Sequence, residues 1–150
     1  MPVAGQRVRA LDFQASVSAT DSTSQSTTTT AAAGSPSVSV TFVAPTSGRA
    51  LITVGGAAQD ASVTNTGVID TELRLTNVSG AIILATGAYD RRVEVALTAS
   101  ANSVGDASKT YTATGLTPGT TYFLRTMHYA ATGTTCSILN RRLDVVPLSA

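Results

Sequence analysis

Most of the chain alternates apolar and polar side chains with a period of two residues. Val38, Val40 and Phe42 alternate with serine and threonine, and the same pattern returns in residues 71–78 and 92–99. Successive side chains of a β-strand point to opposite faces, so this alternation predicts strands with one buried face. No window places apolar residues at helical spacing between capping residues, and we therefore expect almost no helix.

Turn residues separate the alternating segments and set the number of strands. Pro and Gly mark tight turns at residues 44–48 and 116–120, and polar loops are predicted at 60–67, 100–106 and 130–134. The predicted strands are residues 37–42, 49–54, 71–78, 81–86, 92–99, 109–113, 121–129 and 135–146. About eight short strands at this spacing predict an all-β, single-domain antiparallel β-sandwich, with a jelly roll as its expected form.

The chain divides into three predicted parts. Residues 1–15 are moderately apolar and form an extended N-terminal anchoring arm, and residues 37–150 form the β-sandwich domain. Residues 16–36 are a connecting segment rich in Ser, Thr and Ala. Such a segment buries too little apolar surface to offset its ordering entropy, so the first interpretation is a mobile linker. The alternative is a Thr-rich strand held by a neighbouring subunit.

The composition excludes several classes of partner. Charged residues make up 13% of the chain, and its 25 Thr and 16 Ser supply most of the surface polarity. The formal net charge is +1 and no basic stripe is present, so nucleic-acid binding is not expected. No run approaches the roughly 18 apolar residues that span a bilayer. The N-terminus has no apolar signal region either, which predicts synthesis in the cytoplasm and no membrane partner.

Few residues offer catalytic chemistry. His128 is the single histidine, and we interpret it as a hydrogen-bonded strand or subunit-interface residue, since a general base needs a nucleophile and an orienting acid. Asp70 and Glu72 have a spacing that suits a glycosidase pair, but no aromatic platform accompanies them. Cys136 is the only cysteine and is expected to be a small buried residue. We predict that the protein is not an enzyme and that it has no catalytic residue, no cofactor-binding residue and no metal site.

A local motif resembles a known structural device. The sequence LTPGTTY, from Leu116 to Tyr122, is similar to the tyrosine corner of fibronectin type III domains. The resemblance implies that the Tyr122 hydroxyl bonds to the backbone near Leu116, across the turn at Pro118 and Gly119. The rest of the chain departs from that family, because it lacks an early core Trp and is about half again as long as a ~100-residue sandwich.

A wider resemblance covers most of the chain. The segments GQRVRALDF (5–13), VSVTFVAPTSGRALITVGG (38–56) and GLTPGTTYFLRTMHY (115–129) resemble small β-rich proteins encoded in structural gene regions of actinobacterial tailed phages. Members of that family are described as minor tail, head-fibre or decoration proteins. The resemblance implies a jelly-roll virion component that assembles as a homotrimer. It would be made in the host cytoplasm, be displayed on the particle exterior, and bind the major capsid protein or tail proteins.

Arginine pairs and the N-terminal arm are the candidate contacts with other virion proteins. The arm is a candidate for anchoring on a capsid or tail surface, and the two Arg-Arg pairs are either solvated strand ends or docking contacts. These anchoring and interface candidates are Arg7, Arg9, Leu11, Phe13, Arg91, Arg92, Arg141 and Arg142.

Two further functions stay open on the sequence alone. A tail-fibre or tail-tip domain would bind a host surface receptor or glycan, and Tyr89, Tyr111 and Tyr129 are expected to be exposed for an interface or a sugar. A depolymerase is the third hypothesis, and it lacks a credible acid pair. Copy number per particle separates a decoration protein, with hundreds of copies, from a fibre with few.

Overall fold

The computed structural model describes residues 14–60, 65–97, 103–132 and 135–149. Ten strands and no helix occur in these ranges, so none of the described residues forms a membrane-spanning helix. The strands are β1 (Val17–Asp21), β2 (Gln25–Thr27), β3 (Ser39–Val43), β4 (Ala50–Asp60), β5 (Asn65–Leu75), β6 (Ile82–Leu84), β7 (Val93–Leu97), β8 (Ser103–Ala113), β9 (Thr121–Thr132) and β10 (Cys136–Pro147).

The strands form two antiparallel sheets that pack face to face. One sheet has the order β1-β10-β4-β8, with β2 also paired to β10; the other has the order β3-β9-β5-β6, with β7 also paired to β5. Since β4 occupies one side of β10, β1 and β2 are two pieces of one interrupted strand on its other side. β6 and β7 are related in the same way beside β5.

Counted with these interruptions, the fold has eight strands in the orders 1-8-3-6 and 2-7-4-5, which is the arrangement of a jelly roll. The all-β, antiparallel sandwich predicted from the alternation is therefore confirmed. The core lies between the sheets and takes alternate side chains from both, including Val40, Ile52, Leu73, Leu124 and Leu143. Burying one such side chain contributes about 1.5–3 kcal/mol.

Four strands are longer than the sequence predicts, and one of them is β9, which runs to Thr132. β4 and β8 pair along their whole length, from Ala50 with Ala113 to Asp60 with Ser103, and β5 begins at Asn65. All three predicted loops, at 60–67, 100–106 and 130–134, are therefore partly strand. The predicted strands are short because glycine weakens a strand interior and favours turns. A Cβ on Gly67 would lie 2.5 Å from the Ala58 Cβ, so this glycine permits close approach of the two sheets.

The predicted buried strand at residues 81–86 is wrong in its burial. Only Ile82–Leu84 forms a strand, and the side chains of Ile82 and Ile83 are 50% and 45% exposed. The physical reason is position: β6 lies at the end of its sheet and pairs only with β5 among the described residues.

The segment 16–36 differs from the expected mobile linker. Its residues form β1 and β2, which pair with β10 of the same chain, so the sandwich begins before residue 37. Ala32 also exchanges two backbone hydrogen bonds with His128, of 3.0 and 2.8 Å. Backbone hydrogen bonds to the sheet order this segment. Such bonds leave no alternation of apolar residues in the sequence, so the sequence pattern did not predict them. The predicted arm lies almost wholly outside the described residues.

Candidate functional site

His128 is a buried core residue. Its side chain lies on β9 at 1% exposure, and its Nδ1 has no hydrogen-bond partner among the described residues. Burial lowers its pKa to about 4, and the nearby positive charge of Arg141 acts in the same direction. The imidazole is therefore neutral at neutral pH. No group of three or more His, Cys, Asp or Glu in the described part of the chain is placed to hold a metal ion.

Asp70 and Glu72 are both engaged inside the molecule. Asp70 is fully buried and accepts hydrogen bonds from the N–H groups of Thr71 (2.6 Å) and Gly87 (2.5 Å). Burial opposes the charge of Glu72, but hydrogen bonds from Arg74 and Arg125, at 2.6 and 2.8 Å, outweigh it and lower the pKa of this carboxyl. Both acids thus have hydrogen-bond partners within the sheet around β5.

A β-bulge turns Arg141 into the interior. The pairing of β10 with β4 shifts register between Leu139 and Arg142, and Asn140 in the bulge has a φ of 51°. Bulges re-aim the side chains that follow them. Arg141 is consequently fully buried between the sheets, although it stands next to the partly exposed Arg142.

The Arg141 guanidinium holds the first strands against the sandwich. It forms an ion pair with Asp21 of β1, and it donates hydrogen bonds to the carbonyl oxygens of Ala33 and Pro36, both at 3.1 Å. A Cβ on Gly34 would lie only 2.6 Å from Arg141 Nη1, so glycine lets this backbone lie on the guanidinium. We call Arg141 with these partners the arginine anchor.

Arg141 is therefore corrected as a docking candidate. A side chain with no exposed surface presents nothing to another protein in this structure. The other arginines of the two pairs also have partners inside the chain. Arg142 binds Asp106 at 2.6 Å, and Arg91 donates to the Ala85 carbonyl oxygen at 2.9 Å.

Arg92 belongs to a small aromatic cluster. Its guanidinium carbon lies 3.6 Å from the centre of the Tyr89 ring, it forms an ion pair with Glu94, and it donates to the Tyr129 hydroxyl at 3.0 Å. Tyr89 is 74% exposed. Tyr111 was expected to be exposed but is largely buried, its hydroxyl hydrogen-bonds Thr71 at 2.7 Å, and burial raises its pKa to about 12.

The four anchoring candidates Arg7, Arg9, Leu11 and Phe13 lie outside the described residues. Their role stays a prediction. Cys136 is buried on β10, and burial raises the pKa of its thiol to about 11, so the thiol form dominates at neutral pH.

The turn before β9 is closed by Tyr122. The Tyr122 hydroxyl accepts a hydrogen bond from the Thr117 N–H at 3.0 Å, and its ring stacks with Phe42 at 5.9 Å between centroids. Leu116 is buried and donates from its N–H to the Gly48 carbonyl oxygen at 3.0 Å. Pro118 and Gly119 lie in the turn itself, where Gly119 has a φ of 76°. These contacts join two connections at one end of the sandwich.

Most of the exposed large apolar side chains lie in residues 75–92 and in β8. β7 packs against β8, so the edges formed by β6, β7 and β8 lie together, opposite those of β1 and β3. We call residues 75–92 together with β8 the open side. Among the described residues, the exposed large apolar side chains on it are Leu75, Val78, Ile82, Ile83, Tyr89 and Val104, and the one elsewhere is Val146.

The arginine anchor and the long β8 edge were not predicted. The anchor had one sequence signal: Ile138 occupies an inward even-numbered position, whereas Leu143 and Val145 occupy odd-numbered ones. Such a phase change inside one strand requires an extra residue, which is the bulge beside Arg141. The β8 edge had no comparable signal, because Ser, Gly, Asp and Ala in residues 103–108 favour a loop.

Comparisons with known proteins give distant structural likenesses only. No protein-family model and no curated protein matches the chain. A solved chain of infectious bursal disease virus, Gx strain, has a TM-score of 0.44 at 12% identity, with 90% of this chain and 33% of that chain covered. A chain of the T13 particle of the same virus has 0.38 at 16%, with 88% and 30% covered.

The tailspike protein 4 of bacteriophage CBA120, described as an enzymatically active domain, has a TM-score of 0.36 at 13% identity, with 87% of this chain and 19% of that chain covered. The chain thus spans a third or less of these solved chains.

Proposed function

We propose that this protein is a non-enzymatic structural subunit of a bacteriophage virion, which decorates the capsid exterior as a homotrimer bound to the major capsid protein. The observation that carries the proposal is the open side, where all but one of the described exposed large apolar side chains lie. Exposed large apolar side chains on one side of a folded domain are candidates for contact with another protein.

The polar chemistry supports a structural role. His128, Asp70 and Glu72 are buried, and both carboxylates bind partners of their own chain. A general acid or nucleophile must reach a substrate, whereas these groups brace the sheets. The sequence resemblance to virion proteins of actinobacterial tailed phages points to the same class, and sheet proteins with unpaired edges commonly protect them by assembly.

The test is the copy number of the protein in purified particles of the phage that encodes it. Quantitative mass spectrometry against the major capsid protein should find hundreds of copies per particle, because a decoration protein repeats over the capsid lattice. Deletion of residues 1–15 removes the predicted arm and keeps every described strand, so the shortened chain should fold yet be lost from particles. Absence of the full-length chain from virions contradicts the proposal.

A second candidate is a tail-fibre or tail-tip domain that binds a host surface glycan. The observation in its favour is Tyr89, which is 74% exposed and stacked on Arg92, since exposed aromatic rings are suited to sugar faces. It predicts only a few copies per particle. Binding on a glycan array that Tyr89→Ala abolishes, and that Val146→Ala leaves unchanged, would establish this candidate over the first.

A further inference from the structure

We infer that the edge strand β8 pairs with β8 of a second copy of this chain, antiparallel and around a two-fold axis that passes beside Ser108. This inference rests on the proposed role as a self-assembling subunit and names one of its contact surfaces. The result is a continuous sheet that runs through two copies.

β8 is unlike the other edges of the sandwich. It has eleven residues, and among the described residues it pairs with β4 alone. Every other edge is made of strands of five residues or fewer: β1, β2, β3, β6 and β7. Short edge strands are a common protection against unwanted pairing, and a long regular edge is a template for another strand.

The sequence of β8 is compatible with itself. In the register that overlaps all eleven residues, Ser108 faces Ser108 of the second copy, Asp106 faces Thr110, and Lys109 faces Ala107. No two like charges are opposed, and like charges directly across a strand pair are the arrangement that destabilises it. An antiparallel ladder around a two-fold axis also matches each N–H with a carbonyl oxygen of the same strand in the partner.

Both charged side chains of β8 have partners within the chain. Asp106 binds Arg142 at 2.6 Å, which lowers the pKa of its carboxyl, and Lys109 Nζ donates to the Tyr89 carbonyl oxygen at 3.1 Å. The side chains that point away from the sandwich include Val104, Ser108 and Thr110, which are small or β-branched and exposed. Such residues form favourable cross-strand pairs.

The available area is adequate for a stable contact. A contact along β8 about 35 Å long and about 20 Å wide covers roughly 700 Å² per copy. A standard stable interface covers about 800 Å² per partner, about a tenth of a small protein's surface. The chain exposes 7655 Å², so the estimate is consistent with that fraction.

A two-fold contact through β8 determines which oligomeric masses the protein can have in solution. It joins copies in pairs, and it is separate from any three-fold contact, so the wild-type protein forms a dimer, or a hexamer where trimers also form. Breaking β8 pairing halves the mass in either case. This property distinguishes the contact from a trimer interface, whose loss reduces the mass threefold.

The experiment uses the charge at the two-fold axis. Ser108→Glu places two carboxylates against each other and Ser108→Lys places two ammonium groups, so each variant alone should have half the wild-type mass by light scattering. An equimolar mixture of the two should recover the full mass, because unlike charges then meet. The matched control is Ser18→Glu on β1, which is exposed on the opposite edge of the same sheet and should keep the wild-type mass.

Three results overturn the inference: a monomeric or trimeric wild type, unchanged mass in both Ser108 variants, or a mixture that stays at half mass. As a control, thermal unfolding of each variant tests whether the sandwich is still folded. The proposed function fails separately, through absence from virions. A virion-bound protein of trimeric mass keeps that function and refutes β8 pairing, whereas a dimer or hexamer that is missing from virions does the reverse.

Discussion

The two edges of the β1-β10-β4-β8 sheet are built on different principles. At one edge, the short strands β1 and β2 are interrupted, and the buried arginine anchor ties them to the interior. At the other edge, β8 runs for eleven residues with exposed Ser and Thr side chains and no such attachment. The β1 and β2 edge is held by buried polar contacts within the chain. The β8 edge is a continuous strand that is paired with β4 along its whole length.

The comparison shows what a buried charge does in this fold. A buried ion pair contributes little net stability relative to apolar packing, but removing one partner is strongly destabilising because the other groups lose their hydrogen bonds. The main effect of Arg141 is therefore to fix where residues 21–36 lie, and its net contribution to the free energy of unfolding is small relative to apolar packing. β8 has no buried charge of this kind, so its position at the edge depends on its backbone pairing with β4.

The largest expected effect comes from removing the anchor. Arg141→Ala leaves the Ala33 and Pro36 carbonyl oxygens without their donor, at about 1–3 kcal/mol each, so we expect the free energy of unfolding to fall by about 2–5 kcal/mol. The matched variant is Arg142→Ala, which removes a partly exposed ion pair and should change it by less than about 1 kcal/mol. Urea unfolding measures both.

Arg141→Lys is a second, milder variant, since lysine keeps the charge but not the planar fork that reaches three acceptors. It should be intermediate in stability. Equal stabilities for the Arg141→Ala and Arg142→Ala proteins would show that the anchor does not hold the first edge.

A smaller decrease in the free energy of unfolding, of a few kcal/mol, is expected when the pH is lowered. His128 has a pKa of about 4 in the folded protein, below the 6.5 of an ordinary histidine, so the unfolded chain binds the extra proton first. Stability from this group is complete above pH 6.5 and is lost as the pH falls from 6.5 to 4. His128→Gln should remove that part of the pH dependence, which unfolding at a series of pH values measures.

Hydrogen exchange sharpens the acid prediction. His128 lies beneath residues 32–34, so amides of the β1–β2 region should lose protection near pH 5 before those of β8. At this pH, Asp21 keeps its charge, because hydrogen bonds from Thr23 and Arg141 outweigh the effect of burial and lower its pKa. Simultaneous loss of protection at both edges would contradict a local role for His128.

The smallest expected effect comes from the corner, which belongs to neither edge. Tyr122→Phe keeps the ring packed on Phe42 and removes the hydrogen bond from Thr117, so unfolding should become easier by about 1 kcal/mol. Neither the mass in solution nor the acid response should change. A change in oligomeric mass would mean that the corner acts on the β8 edge.

Prediction from the sequence succeeded where side-chain burial decides the structure. Alternation in residues 37–42 and 92–99 located β3 and β7, because their inward side chains must be apolar to fill the core. It did not find β1, β2 or the first halves of β5 and β8. Those segments are strand because a neighbouring strand offers a ladder of backbone hydrogen bonds. Most of their side chains are small or polar, so the sequence shows no alternation there.

The candidate site shows the same division. The sequence by itself determined a sandwich with few acids, one histidine and no basic stripe, since composition limits which chemistry the chain can contain. Only the tertiary structure decided that Arg141 lies inside while Arg142 lies outside, because a one-residue bulge reverses the face of the strand. It also decided which edge is closed, because an edge exists only once the strands have an order.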